Sequence, residues 1–431
     1  MTAPGILDAM HAPPPPADDA TSAEDAPGRF AALRSPAFRL LMAAGMAMQF
    51  GQWIQRVALL WVVYEITDSA VSLAILAFLS NIFVLVLSPF VGIVIDRLGA
   101  RRVLMIAAIG QAAGALVLAL GIFSGQASLA LLYATGITFG IGQTLNQPAR
   151  NLLVYDAVGR DLLRNGLALN ALTGNSMRVI GPTAGGIIVA AGGGGFAFAL
   201  QAILLVSAVG LVWRLNVETT KRAQDTGGVW SELGAGFAYA RGNPMVLTSI
   251  LVGLLTSTFV YPYNSFMPVF VKDNMGGGAQ EQGILLSAVG IGSLVGLWYV
   301  AAGRGGMRSM LWGGVVYMTL VAAFAQATNF WLALGFLITG GIAHSVFGTL
   351  NQALVQLNAK DEYRARVMGL YSMTGGLEPF SLLALGPLID RFGVSHAMGG
   401  YASFAMLITL VLAIGWTLSG RRPAAAAPAR G

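Results

Sequence analysis

The chain has 431 residues, of which 56% are hydrophobic and only 10% are charged, against roughly 25% charged residues in an average soluble domain. This deficit indicates lipid as the solvent, and the net charge of +6 falls in short clusters between apolar runs, so we expect no nucleic-acid partner. The lack of cysteine excludes disulfides, thiol catalysis and cysteine-ligated metals, and with three histidines we expect no metal and no cofactor.

The amino-terminal segment contains a proline run from Pro13 to Pro16 and several acids, but no apolar stretch that would form the core of a signal peptide. Such a composition cannot bury enough apolar surface to fold. We therefore predict a disordered cytoplasmic tail over residues 1–35.

Twelve apolar segments follow, each long enough to cross roughly 30 Å of hydrocarbon as a helix. They predict an all-α integral membrane protein with 12 transmembrane helices in two six-helix repeats, 36–214 and 243–418. A charged cytoplasmic linker, 215–242, joins the repeats, and a tail, 419–431, ends the chain. The predicted spans are 37–64, 70–95, 102–123, 128–149, 163–190, 195–214, 243–270, 281–302, 309–327, 330–356, 366–388 and 397–418.

Lysine and arginine are distributed unequally over the two predicted faces of the membrane. Nearly all of them, including Arg150 at a helix end, fall on the side of the amino terminus, whereas the opposite side has only Lys272 and Arg391. Basic loops are retained in the cytoplasm. We therefore predict a multi-pass protein of the bacterial inner membrane with both termini cytoplasmic, and only Arg56 and Arg178 lie inside spans.

The two halves resemble each other in sequence. Thr144 to Gln147 in the fourth span recurs as Thr349 to Gln352 in the tenth, at an offset of about half the chain. Two parallel six-helix repeats imply a substrate site at their interface near the bilayer midplane. Ile95 to Gly99 also recurs as Ile389 to Gly393, but at a place that does not correspond, and we attribute that match to coincidence.

The loop after the second span has a glycine, an Asp-Arg pair, a second glycine and a basic pair. This spacing resembles the signature of the major facilitator superfamily, and the resemblance implies a loop that latches the two halves on the cytoplasmic side. The glycine permits close helix approach, and the aspartate pairs with an arginine or with a helix amino terminus. The alternative is an ordinary basic loop that fixes topology. The signature residues are Gly92, Asp96, Arg97, Gly99, Arg101 and Arg102.

A narrower resemblance begins in the first two spans, at Gly51 to Ala58 and Trp61 to Ala70. It is similar to the branch of the superfamily that includes enterobactin-type siderophore exporters and drug:proton antiporters. In the fifth span the antiporter signature is matched except at Met177, where the pattern has a glycine. The resemblance implies export, whereas packing and a helix kink are the alternative role of these residues. The matching residues are Gly181, Pro182, Gly185 and Gly186.

Charged side chains inside a membrane span are functional candidates because they are costly there. Arg56 shares a helical face with Gln49 and Gln52, which predicts a water-filled cavity beside that face; its alternative is snorkelling to the membrane surface. Arg178 is predicted to bind an anionic group or to form a structural pair with a carboxylate.

Two groups are candidates for proton coupling. Glu378 is an acid placed well within an apolar span, beside Pro379, and we expect it to take up and release the coupled proton; neutralisation by a basic partner is the alternative. His344 is a second candidate because histidine titrates near neutral pH. Other predicted cavity residues, each with an interhelical hydrogen bond as its alternative role, are Gln143, Asn146, Gln147, Tyr261, Tyr263, Asn264 and Asn351.

These features predict a proton-coupled secondary transporter that exports a small amphipathic molecule, drug-like or siderophore-like, by alternating access. It needs no nucleotide, and the chain lacks a phosphate-binding loop with lysine. Its expected partners are the substrate, protons and membrane lipids, and we expect a monomer. The alternatives are an importer of a small metabolite with the same fold, a membrane-embedded enzyme, and a receptor that transports nothing.

Overall fold

A computed structural model describes residues 30–216, 229–302 and 305–419. These residues form helices and turns with no β-strand, which confirms the all-α prediction. Residues 1–29 of the predicted tail lie outside the described residues. The last residues of that tail are ordered, contrary to prediction, because Ala31–Arg34 forms a 3-10 turn whose Ala32 amide donates to Asn165 Oδ1 at 3.0 Å.

The first half consists of four helical elements: α1 (Pro36–Thr67), α2 (Ala70–Leu98), α3 (Ala100–Phe123) and α4 (Leu129–Trp213). The first helix begins where the sequence provides a cap, since Ser35 accepts a hydrogen bond from the Phe38 amide and Pro36 occupies the first helical position.

The long α4 is interrupted twice by glycines in the left-handed region. Gly159 has φ 73° and Gly193 has φ 73°, a conformation that residues with a Cβ rarely adopt. The chain reverses direction at both positions, which divides α4 into the helices 129–158, 160–192 and 194–213. These correspond to the predicted fourth, fifth and sixth spans.

The second half is less regular than predicted. Its helices are α5 (Val229–Gly242), α6 (Pro244–Phe259), α7 (Met267–Val269), α8 (Ala279–Ala301), α9 (Met307–Ala325), α10 (Phe330–Asn358), α11 (Asp361–Ser372), α12 (Glu378–Phe392) and α13 (Val394–Leu418). The end of the predicted linker is therefore helical, in α5, whereas residues 217–228 lie outside the described residues.

Two predicted spans are not continuous α-helices. The seventh breaks after Val260, where Tyr261–Asn264 forms a 3-10 turn, because Pro262 disfavours a helical conformation for the residue before it. The eleventh breaks at the 3-10 turn Met373–Leu377, which contains two consecutive glycines and precedes Pro379.

Eight of the described helices are long and apolar enough to cross a membrane, with α4 counted once. The helix α1 is not among them, because Gln49, Gln52 and Arg56 interrupt its apolar sequence. With α4 divided at its two glycines and the broken seventh and eleventh spans each joined, the described elements are consistent with twelve crossings.

The side of the bundle at which α1 begins and α2 ends is called the basic side below, because Arg97, Arg101 and Arg102 lie there. On this side, α2 ends at Gly99 (φ 82°, ψ 141°), and on the opposite side α12 ends at Gly393 (φ 79°, ψ 155°). The two segments with matching sequence thus end their helices in the same way, so the match has a structural meaning that its position in the chain did not indicate.

The helices α8 and α10 are in backbone contact within the second half. A Cβ at Gly341 would overlap the Val289 carbonyl and lie 3.1 Å from Gly292 Cα. We expect Gly341→Ala to lower the stability of the protein by roughly 1–3 kcal/mol, because a backbone neighbour cannot move aside as a flexible side chain can. Thermal unfolding of the detergent-solubilised protein measures the change. Gly335→Ala on the same helix is the matched control, because its Cβ would meet open space, and an equal loss in both variants would contradict the packing argument.

Candidate functional site

A polar cavity of about 600 Å³ lies in the first half of the bundle. Its lining extends from Trp53, Arg56 and Arg178, near the middle of the bundle, to Asn151 and Asn170, which lie nearer to the basic-side ends of their helices. The cavity therefore opens towards the basic side and ends near the middle of the bundle.

Three helices supply the polar wall of this cavity. Predicted substrate-binding residues from all three come together there, since α1, helix 129–158 and helix 160–192 each present one face to the same space. The wall includes Gln49, Gln52 and Arg56 of α1, Gln143, Asn146 and Gln147 of helix 129–158, and Arg178 of helix 160–192.

Arg150 is a cavity residue that the sequence did not identify. It was assigned to a cytoplasmic helix end, but it is only 3% exposed and lines the cavity. Its Nη2 donates to Gln147 Oε1 at 3.1 Å, whereas its Nε and Nη1 have no hydrogen-bond partner. Nη1 lies 3.1 Å from the position of a Cβ on Gly45, so the absence of a side chain there leaves room for the guanidinium.

The second half supplies a buried Tyr-His pair. Tyr261 Oη and His344 Nε2 are 3.0 Å apart, the ring of Tyr317 lies 5.0 Å from the imidazole, and His344 Nδ1 has no partner. A hydroxyl bonded to an imidazole can pass a proton, and the proton-relay role of His344 stays a prediction.

Besides Tyr261, three residues predicted for the cavity wall lie outside it. Tyr263 is 1% exposed and packs edge-on against Phe324 at 5.9 Å. Asn264 donates to the Tyr261 carbonyl at 3.1 Å within its own turn. Asn351 is buried with both amide atoms unpaired. The break after Val260 turns the Tyr263 and Asn264 side chains in directions that a continuous helix would not give.

Glu378 is the first residue of α12, at the break in the predicted eleventh span. It is partly exposed and lies close enough to Arg56 and Tyr261 for their charges to interact. It therefore lies within electrostatic range of both the arginine at the deep end of the cavity and the Tyr-His pair of the second half.

Polar contacts join the two halves at the side opposite the cavity mouth. Tyr64 Oη donates to Asp273 Oδ2 at 2.6 Å, and Lys272 Nζ lies 2.7 Å from Asp68 Oδ1. The Asp390 carboxylate accepts from the amides of Ala70 at 2.7 Å and Val71 at 3.2 Å and from Ser69 Oγ at 3.0 Å. An acid of the second half thus caps the amino terminus of α2, where negative charge is favourable.

The glycines predicted from the antiporter signature lie at two helix contacts. Gly181 packs on the Trp53 side chain and Gly185 on Ile54, both in α1. Gly186 faces α8 of the other half, where a Cβ would overlap the Ala279 carbonyl and lie 3.1 Å from Gly283 Cα. Gly283 was not identified from the sequence, because nothing in its surroundings indicates which helix it would face.

A hydrogen-bonded pair continues this contact between the halves. Thr183 Oγ1 lies 2.8 Å from Ser287 Oγ, and the Thr183 amide donates to the same oxygen at 3.0 Å. Pro182, also predicted from the signature, presents its carbonyl to Gly283. The two halves are therefore closed at the opposite side by backbone packing as well as by hydrogen bonds and the Lys272–Asp68 ion pair.

The signature loop on the basic side does not join the halves in this conformation. A Cβ at Gly92 would meet no atom within 4 Å, so the close approach predicted there is absent. Asp96, Arg97 and Arg102 are exposed, and Asp96 has no ion pair among the described residues. Arg101 instead donates to the carbonyls of Val212 and Trp213, which fixes α3 to the end of helix 194–213.

Comparison with known proteins identifies relatives over nearly the whole chain. A family model described as transmembrane secretion effector matches residues 27–429. The staphyloferrin A transporter of Staphylococcus aureus is 25% identical, over 84% of this chain and 91% of its own length. The multidrug efflux pump Tap of Mycolicibacterium fortuitum is 27% identical, over 88% of this chain and 95% of its own length.

Solved structures give the same fold. A bacterial homologue of the human lysosomal transporter Spinster, in its inward-facing, unoccupied conformation, matches with a TM-score of 0.68. The match covers 90% of this chain and 99% of that one, at 15% sequence identity. The nucleoside transporter NupG also matches with a TM-score of 0.68, at 16% identity, over 90% of this chain and 100% of that one. At these identities the similarity shows the fold alone.

Proposed function

The chain belongs to the transmembrane secretion effector family of major facilitator transporters, and from that premise we propose that it exports a small organic molecule in exchange for protons. Membership of this family excludes the alternative of a membrane-embedded enzyme. The observation that carries the proposal is the polar cavity, which ends at Arg56 and Arg178 near the midplane and is closed on one side by contacts between the halves.

We interpret the geometry as one state of an alternating-access cycle. In the proposal, the substrate enters the cavity from the basic side, the Tyr64, Asp68, Asp390 and Gly186 contacts open, and the basic side closes behind it. The signature loop at Asp96 makes its contacts with the second half in that other state. Its exposure in the present structure is compatible with this role.

We propose that the basic side faces the cytoplasm of a bacterium and that both termini lie there, in the inner membrane. The support is the distribution of Lys and Arg over the loops. We also propose that the protein works as a monomer surrounded by lipid; the support is that the cavity and its closing contacts are all formed within one polypeptide.

The direction of transport is supported by the relatives, one of which is described as a multidrug efflux pump. Mass spectrometry of cells and spent medium, from strains that lack or overproduce the protein, tests it. A compound that is retained in cells without the protein and enriched outside cells that overproduce it supports export. The reverse distribution would show an importer of the same fold.

Proton coupling is assigned to Glu378, with the Tyr261-His344 pair as a relay. We expect Glu378→Gln to abolish transport driven by a pH gradient in proteoliposomes, while exchange of labelled for unlabelled compound continues, because exchange needs no net proton movement. The compound found by mass spectrometry is the assay substrate. Glu362→Gln, at an exposed acid of α11, is the matched control, and full pH-driven transport by Glu378→Gln would refute the assignment.

A further inference from the structure

The cavity wall has an unusual charge balance. Three arginines, Arg56, Arg150 and Arg178, line it together with eight Asn and Gln side chains, and its lining contains no Asp or Glu. Glu378 interacts with Arg56 from the second half, which leaves two cations without a carboxylate partner among the described residues. From this we infer that the transported molecule is an elongated polyanion held by Arg150 and Arg178; the inference rests on the proposed transport function.

Arg150 is the strongest part of this inference. A guanidinium that is 97% removed from solvent is costly unless a negative charge or several acceptors satisfy it, yet Nε and Nη1 have no partner and the one acceptor is the neutral Gln147 amide. The side chain borders the cavity, so an anionic group of a bound molecule can supply the missing charge. A guanidinium also binds carboxylate and phosphate in a paired geometry.

Arg178 offers a second cation deeper in the same cavity. It is exposed to the cavity, and no ion pair or hydrogen bond of its side chain is found in the described part of the chain. Its backbone packs against α8 of the second half, because the Arg178 carbonyl lies 3.2 Å from the position of a Cβ on Gly290. The side chain has no partner within the described ranges that a ligand would have to displace.

The spacing of the two arginines sets the length of the ligand. Arg150 lies near the basic-side end of helix 129–158 and Arg178 lies in the middle of helix 160–192, which separates them by roughly 15 Å along the bundle at 1.5 Å per residue. Arg150 packs beside Gly45 and Arg178 lies deeper in the cavity, so a molecule with one anionic group at each arginine satisfies both charges. A cavity of about 600 Å³ admits a drug-sized molecule, and the amides between the arginines provide hydrogen bonds for polar groups along its length.

Calorimetric titration of the purified full-length protein in nanodiscs tests this with matched probes. Decanedioate carries two carboxylates on a long chain, succinate has them on a short one, dimethyl decanedioate has none, and 1,10-diaminodecane reverses the charge. We expect decanedioate to bind more tightly than succinate, and the ester and the diamine not to bind. A bisphosphonate of similar length determines whether carboxylate or phosphoryl groups are preferred, since either is compatible with arginine.

The variants locate the site. Arg178→Gln and Arg150→Gln should each weaken decanedioate binding by about tenfold or more, the loss expected for one charged hydrogen-bonded contact. Arg308→Gln, at an exposed residue on the basic side, should leave it unchanged. Arg178 is exposed to the cavity, so its substitution should not disturb folding. Arg178→Gln therefore tests the inference even if the Arg150 variant fails to fold. Arg150→Lys, which keeps the charge, should retain part of the affinity.

Binding of the diamine or the ester as tightly as decanedioate, or unchanged affinity in Arg178→Gln, would overturn the inference. Binding does not depend on transport direction or on protons. If the flux experiments show import or another coupling ion, the polyanion site stands, whereas export of a cationic compound without decanedioate binding would remove only the polyanion site.

Discussion

Joining Thr183 to Ser287 by a disulfide should stop transport completely and reversibly. The two hydroxyl oxygens are 2.8 Å apart across the closed contact between the halves, so cysteines at both positions place their sulfurs within reach of a bond. The chain has no cysteine of its own, and Thr183→Cys with Ser287→Cys therefore introduces the only thiols. Oxidation locks the halves together, and transport of the identified compound should fall to background and return on reduction.

A cross-link within one half is the matched control for this experiment. A Cβ at Gly114 would lie 3.6 Å from Thr138 Cβ, which is a good distance for a disulfide, and both residues belong to the first half. Gly114→Cys with Thr138→Cys should form its bond and keep transport, because rocking of the halves leaves this contact unchanged. Loss of free thiols, measured with a maleimide, reports bond formation in both proteins. Undiminished transport by the fully oxidised Thr183-Ser287 protein would contradict alternating access at this contact.

The membrane spans were predictable because a helix needs about 20 apolar residues to cross a bilayer, and these residues are consecutive in the sequence. The same holds for the reversals at Gly159 and Gly193, which fall between predicted spans. The break after Val260 was not predicted, since Pro262 lies in an apolar run and a proline inside a membrane helix is often tolerated.

The rotation of each helix about its axis was only partly predictable. Gln49, Gln52 and Arg56 share one face of α1, and a polar face on an apolar helix indicates a cavity. Arg150 has no such pattern around it and was placed at a helix end by counting basic residues. Tyr261 and Tyr263 are two residues apart, and only the turn between them decides that the first reaches His344 and the second enters the core.

Contacts between the two halves could not be predicted from the sequence. Gly186 was noticed because it matches a signature, but its partner Gly283 belongs to a helix about a hundred residues away with no matching pattern. Asp390 was noticed only as part of a repeated segment. Such pairs depend on how two separately folded halves meet, and a single sequence has no information on that relative placement.

Gly283→Ala should move the equilibrium of the protein away from the closed contact at the opposite side. A Cβ at this position would overlap the Pro182 carbonyl and lie 3.0 Å from Gly186 Cα. Both neighbours are backbone atoms, so α8 must move away from helix 160–192 to make room. Overpacking of this kind costs about 1–3 kcal/mol, which changes the ratio of the two states by roughly 5- to 150-fold. The penalty disappears once the halves part on that side, so it acts on the closed state alone.

Pulsed electron paramagnetic resonance measures this shift as a change in the distance between two spin labels. The labels attach only to introduced cysteines, because the chain has none of its own. Labels at Gln126 and Thr328, both exposed on the opposite side, should move apart in Gly283→Ala, and net transport should fall because the closed state is depleted. Gly186→Ala enlarges the other surface of the same contact and should give the same shift. Gly415→Ala is the control, because its new Cβ would meet no atom within 4 Å. It should change neither the distance between the labels nor transport. If both contact variants give the same distance distribution as the unmodified sequence, this contact does not control which side is open. The closing role would then belong to the Asp390 and Lys272 interactions, which are polar and can be replaced by interactions with water.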